Sequence, residues 1–202
     1  MKKIVSALMI IGVIGLAAFT RINELPIGSP MPKGTMQMED ISGKKVSLQD
    51  AKKSNGLLVM FSCNTCPYVI KNQPRTKEIA AFALENNIGV ILVNSNETQR
   101  KDDDSFEAMK QYAKTQGYQW YYVADNGSEL ADAFGANRTP ECFLFNKGDK
   151  LVYRGAIDDN PGGEASEVGR RHLKEAIGEM LANKEVTVKT TRSVGCSIKR
   201  RG

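Results

Sequence analysis

Residues 56–75 read GLLVMFSCNTCPYVIKNQPR, a stretch that changes character twice. The apolar run Leu57-Leu58-Val59-Met60-Phe61 stops at Ser62, Cys63-Asn64-Thr65-Cys66 follows, and a helical period of apolar residues takes over from Pro67. A buried strand is therefore expected to deliver two cysteines to the start of a helix. The first turn of a helix exposes unpaired N–H groups and the positive end of the macrodipole, so a thiol placed there is stabilised as thiolate, the species that attacks disulfides. Cys63 is expected at that start. Cys66, three residues on, shares the face of the turn and is close enough to close a small disulfide ring and expel a group bound to Cys63.

Two other readings use the same cysteines. A pair at this spacing is half of a zinc site, but the chain offers only Cys142, Cys196 and His172 as further ligands, none in a second paired motif. No metal and no cofactor is expected. A structural disulfide is the other reading, although so short a ring closes little chain entropy.

Outward from this stretch, 202 residues that are 41% hydrophobic are enough for one core and expected to form one domain. The net charge of +5 is carried by residues 184–202, where six cations face one anion, and residues 1–183 are neutral overall. Cations so spread, without interleaved aromatics, describe a solvated basic tail and no nucleic-acid surface. At the other end, Lys2 and Lys3 precede an apolar run from Ile4 to Phe19. Residues 1–20 read as an export signal or an uncleaved N-terminal membrane anchor, which places the cysteines in the periplasm or cell envelope, where disulfides persist. Residues 21–33, with Pro26, Gly28, Pro30 and Pro32, read as an extended linker. The folded domain is expected over residues 34–183.

Within it, Thr35–Glu39 and Lys45–Leu48 alternate around a turn as a small hairpin. The helix from Pro67 to Asn86 is expected to kink at Pro74. A second buried strand follows at Ile88–Val93, and then a helix whose negative start is Asp102-Asp103-Asp104 and whose stop is Gly117. This order implies a parallel core. Further elements are a strand near Trp120–Val123, a helix over Ser128–Phe134, a hairpin of Cys142–Phe145 with Leu151–Gly155, and a helix over Glu167–Ala182.

The order of a Cys-x-x-Cys motif at a helix start, strand, helix, Thr139-Pro140, hairpin and final helix resembles the thioredoxin fold. More narrowly, Phe61–Val69, Asn94-Ser95-Asn96, Thr139-Pro140 and Gly195-Cys196-Ser197-Ile198-Lys199 resemble exported bacterial thioredoxin-like proteins of the redoxin type, a branch sometimes grouped with peroxiredoxins. The resemblance covers residues 34–202 and implies an α/β fold, a central mixed sheet flanked by helices, here with an N-terminal β-hairpin extension. It implies Cys63 as nucleophile and Cys66 as resolving thiol. It also implies Pro140 as a cis-proline facing the dithiol and Thr139 as the residue whose backbone pairs with a substrate peptide. Two departures stand out: Thr65 where relatives often carry histidine, and no aspartate in the strand before the dithiol. Glu141 is a weak candidate for the missing base.

Cys142, two residues after Pro140, reads either as a core hydrophobe or as a thiol lying under the dithiol. Asn94 and Asn96, at the carboxyl end of a parallel strand, are accessory candidates with turn formation as their alternative role. Cys196 is a third accessory candidate, carried by a segment that either floats or lies across the domain. The leading expectation is a thiol-disulfide oxidoreductase acting on cysteine-containing exported proteins, recharged by a redox partner protein. A hydroperoxide reductase is the alternative, although no Pro-x-x-x-Thr/Ser-x-x-Cys pattern precedes Cys63 or Cys66. A non-catalytic copper-delivery protein is a third reading.

Overall fold

The structure, a computed structural model, describes residues 23–201. The export signal or anchor of residues 1–20, and residues 21–22 of the linker, lie outside the described residues. The hairpin is present as β1 (Met38–Asp40) and β2 (Lys45–Val46), and Ser47 with Asp50 closes a capping box on α1 (Leu48–Ala51). Then follow β3 (Gly56–Ser62), α2 (Pro67–Glu85), β4 (Ile88–Asn94), α3 (Phe106–Gln116) and β5 (Tyr121–Ala124). The chain continues through α4 (Glu129–Phe134), β6 (Arg138–Thr139), β7 (Glu141–Asn146), β8 (Leu151–Gly155), α5 (His172–Leu181) and β9 (Cys196–Ser197).

Seven strands form one mixed sheet in the order β2-β1-β5-β4-β3-β7-β8. Its centre, β3 with β4 and β4 with β5, is parallel, and the outer pairs are antiparallel. Every residue of β3 and β4 is buried. Leu58 and Met60 face a core with Ile79 and Ala83 of α2, Met109 of α3 and Ile177 of α5. Leu57, Val59 and Phe61 face the opposite core with Leu48 of α1 and Leu130 and Phe134 of α4. The period of two that sends alternate side chains to opposite faces explains why a continuous apolar run is needed here.

Helix α2 is continuous through Pro74, and the next residue, Arg75, is buried with its guanidinium against Asp158 at 3.0 Å and donating to the Asn160 carbonyl at 2.6 Å. Two expectations change. Residues 23–33 are not a free linker: Leu25 donates to the Phe134 carbonyl, Gly28 to that of Leu151 and Met31 to that of Asp149. Residues 184–201 are not a solvated tail either. Val186 and Ile198 are buried in the two cores, and β9 pairs antiparallel with β6. The domain therefore takes in both flanking segments. No helix among the described residues is long and apolar enough to cross a membrane.

Candidate active site

Strand β3 ends beside the carboxyl end of β4, with Ser62 opposite Asn94. The chain stays non-helical through Cys63, Asn64 and Thr65, and α2 starts at Pro67 with Cys66 as its N-cap. Here the sequence expectation is off by one turn, because Cys66, not Cys63, holds the helix start. The cause is local: the Asn64 N–H is taken by the Asp104 carboxylate at 2.9 Å, its side-chain amide donates to the Asp103 carbonyl at 2.8 Å, and Pro67 brings no N–H to the first helical position.

Both sulfurs meet Thr139. The Cys63 thiol and the Thr139 hydroxyl lie 3.4 Å apart, and the Cys66 thiol donates to the Thr139 carbonyl at 3.2 Å. The Thr139–Pro140 peptide is cis. Only 1% of Cys63, 3% of Cys66 and 1% of Thr139 is exposed, so the pair is covered on all sides. The two thiols are driven in opposite directions. Cys63 is pushed up, first by the bond between its thiol and the Cys66 sulfur, then by burial and by the field of the Asp104 carboxylate. Cys66 is held down, first by that same Cys63 thiol, against burial, with help from the Cys196 thiol and the N–H groups of Val69 and Cys196. A thiolate at Cys66 draws on the Val69 N–H in the first turn of α2, and one at Cys63 on the N–H of Cys66 at the helix cap.

Asp104 is the residue that sequence reasoning missed. It is fully buried, and besides the Asn64 N–H it accepts from the Asn94 amide at 2.7 Å and the Asn96 amide at 2.8 Å. The Tyr122 hydroxyl joins this group, accepting from Asn94 at 3.0 Å and donating to Asn64 at 2.9 Å. Helix α3 begins at Phe106 with Ser105 as its cap, which frees Asp104 from the helix end and turns it inward. Asn94 and Asn96 therefore tie the loop after β4 to the strand-to-helix junction of the cysteines.

The remaining candidates separate. Cys142 is fully buried in the core beside Met60 and away from the dithiol, with its thiol pushed far up by burial. Glu141 is also buried and does not touch the sulfurs; its carboxylate accepts from the N–H groups of Asn137 at 2.8 Å and Arg138 at 3.1 Å, shaping the loop that enters β6. Cys196, in contrast, packs against Cys63, Cys66 and Val69. Among the described residues no group of three or more His, Cys, Asp or Glu side chains is arranged to hold a metal ion.

A model of the Redoxin family matches residues 26–170. Among curated proteins, the chain is similar to the thiol-disulfide oxidoreductase ResA of Halalkalibacterium halodurans, 23% identical over 115 residues, which are 57% of this chain and 61% of the relative. The chain thus matches about three fifths of the length of that relative. Among solved structures it is similar to an uncharacterized conserved protein of Geobacillus kaustophilus, with 31% identity, a TM-score of 0.82 and coverage of 89% of this chain and 94% of the other. A hypothetical protein of Sinorhizobium meliloti gives 29% identity, a TM-score of 0.81 and coverage of 89% and 97%.

Proposed function

This chain belongs to the redoxin family of the thioredoxin superfamily, and from that membership we propose that it is a thiol-disulfide oxidoreductase whose working couple is Cys63 and Cys66. The observation that carries the reading is the meeting of both sulfurs with Thr139 at the start of α2. Cys66 first gives up the proton it shares with the Thr139 carbonyl; its thiolate attacks a substrate disulfide, forming a mixed disulfide and releasing one substrate thiolate, which takes up that proton. Cys63 then gives up its proton and attacks the Cys66 sulfur, closing the Cys63–Cys66 bond and releasing the second thiolate. Two electrons pass from protein to substrate, and the same steps in reverse oxidise a substrate dithiol. This order inverts the one implied by resemblance, because the Cys66 sulfur is held down by the Cys63 thiol and by the Val69 N–H of the first helical turn. The substrates are cysteine-containing exported proteins, a partner protein resets the couple, and the N-terminal segment directs the domain to the envelope. The similarity to an oxidoreductase named for this chemistry supports the reading.

The test offers the reduced protein either insulin or hydrogen peroxide. Cleavage of insulin disulfides, a Cys63–Cys66 bond in the oxidised protein, and a loss of about 100-fold in turnover for Cys66→Ser are expected. Fast consumption of peroxide with insulin left intact would replace the reading with a hydroperoxide reductase. Limited alkylation of the reduced protein should modify Cys66 before Cys63; the opposite order restores Cys63 as the attacking thiol.

A further inference from the structure

The segment after α5 is laid over the active site by a series of fitted contacts. Lys189 accepts at its carbonyl from Arg154, and the Thr191 hydroxyl accepts from the Ala156 N–H at 2.9 Å and shares a 2.7 Å bond with the Tyr153 hydroxyl. Gly155, at φ 138°, makes room for this: a Cβ there would stand 2.2 Å from the Thr191 hydroxyl oxygen. The chain then turns across Pro140. A Cβ on Gly195 would lie 2.0 Å from the Thr139 carbonyl oxygen, so only glycine allows so close an approach. Beyond it Cys196 pairs with Thr139 and Ser197 with Arg138. The far end is fastened by the Ile198 N–H on the Asn137 carbonyl at 3.1 Å and by the Lys199 N–H on Asn96 Oδ1 at 2.9 Å.

An extended peptide added antiparallel to the free edge at Thr139 is one way a protein chain is recognised, backbone bonds giving affinity and one side chain giving specificity. Here the chain's own residues 195–198 make that addition, and the side chain delivered to the dithiol is a thiol. Its proton is retained in the reduced protein, since burial, and then the bond to the Cys66 sulfur, push Cys196 up to about 11.

We propose that residues 195–198 are an internal substrate strand, and that Cys196 exchanges with the Cys63–Cys66 disulfide to form a Cys66–Cys196 bond. This rests on Cys63 and Cys66 being the working couple. The step needs no outside oxidant: Cys196 loses its proton and attacks the Cys66 sulfur, the Cys66–Cys196 bond forms as Cys63–Cys66 breaks, and Cys63 leaves as thiolate and takes up the proton. The protein then carries its disulfide in a closed form, with Cys63 free beneath it. A substrate must displace the strand, and because a tethered strand acts at an effective concentration of about millimolar or higher, dilute substrates compete poorly with it.

The test uses the full chain with Cys63→Ser, treated with oxidised glutathione and mapped by mass spectrometry after acid quenching. Glutathione joins Cys66, Cys196 displaces it, and an internal Cys66–Cys196 disulfide with no retained glutathione is expected. A stable glutathione adduct on Cys66 with Cys196 free overturns the proposal. Gly195→Val, which must lift the strand, tests the geometry: alkylation of Cys66 by iodoacetamide should rise at least about tenfold over the parent protein, and an unchanged rate overturns the closed arrangement. Cys196→Ser separates the two claims. A Cys63–Cys66 bond forming in it upholds the dithiol reading whatever the glutathione experiment gives, and its absence removes the dithiol reading and this proposal together.

Discussion

Glu141 is largely buried, and that burial raises its pKa from the usual 4.5 against the two N–H groups it accepts from. Between 4.5 and the raised value the folded protein keeps a proton that the unfolded chain has lost. Stability therefore falls as pH rises through that window, and the loss is complete above the folded pKa. Glu141→Gln keeps an oxygen for both N–H groups and carries no charge. Urea unfolding from below pH 4.5 upward should show the variant gaining on the parent as pH rises; a constant difference would mean that the carboxylate is not desolvated. Glu141 also shows what single residues tell before folding. The Cys63 and Cys66 pair is legible as a pair because its spacing is local to a short motif, whereas Thr139 and Pro140 enter only through resemblance to thioredoxin-like proteins. Glu141 and Asp104 are not legible, since a carboxylate reads as solvated until something distant buries it, and the sequence does not say that Ser105 will take the helix cap in place of its three aspartates.

Among elements, the loop from β4 to α3 and the turn from β3 to α2 are joined by one carboxylate. Asp104→Ala leaves the Asn64 N–H without an acceptor and takes one acceptor each from the Asn94 and Asn96 amides, which keep Tyr122 and Gln99, and should cost about 3 kcal/mol or more, at 1–3 kcal/mol for each buried N–H left unpaired. Asp104→Asn restores an acceptor oxygen and part of that stability. Both remove a negative charge from beside Cys63, so both should move the pH profile of Cys63 alkylation to lower pH. Equal profiles in parent and variants would detach Asp104 from the sulfurs. The strands and helices themselves were readable from periodicity, β3 and β4 above all, because burial on both faces demands an unbroken apolar run. The start of α2 was misplaced because the competing partner of Asn64 lies 40 residues away.

For the whole molecule, residues 184–201 decide how the domain is bounded. Composition marks them as solvated, yet small residues at two crossings, Thr191 against Gly155 and Gly195 against Thr139, fit them to the surface by shape, which hydropathy does not register. Arg200 and Arg201 reach Asp132 and Glu97 at 2.7 and 3.0 Å. A chain ending at Asn183 loses the buried Val186 and Ile198. Each is worth about 1.5–3 kcal/mol, partly offset by the entropy the segment regains, so a net loss of about 2 kcal/mol is expected in urea unfolding. A midpoint equal to that of the full chain would return the segment to the status of a tail. Synthesis gives this order a direction in time. The strand that lies over the sulfurs is translated after every element it covers, so the emerging domain passes through an interval in which its thiols stand open, and an interrupted translation product would stay in that state.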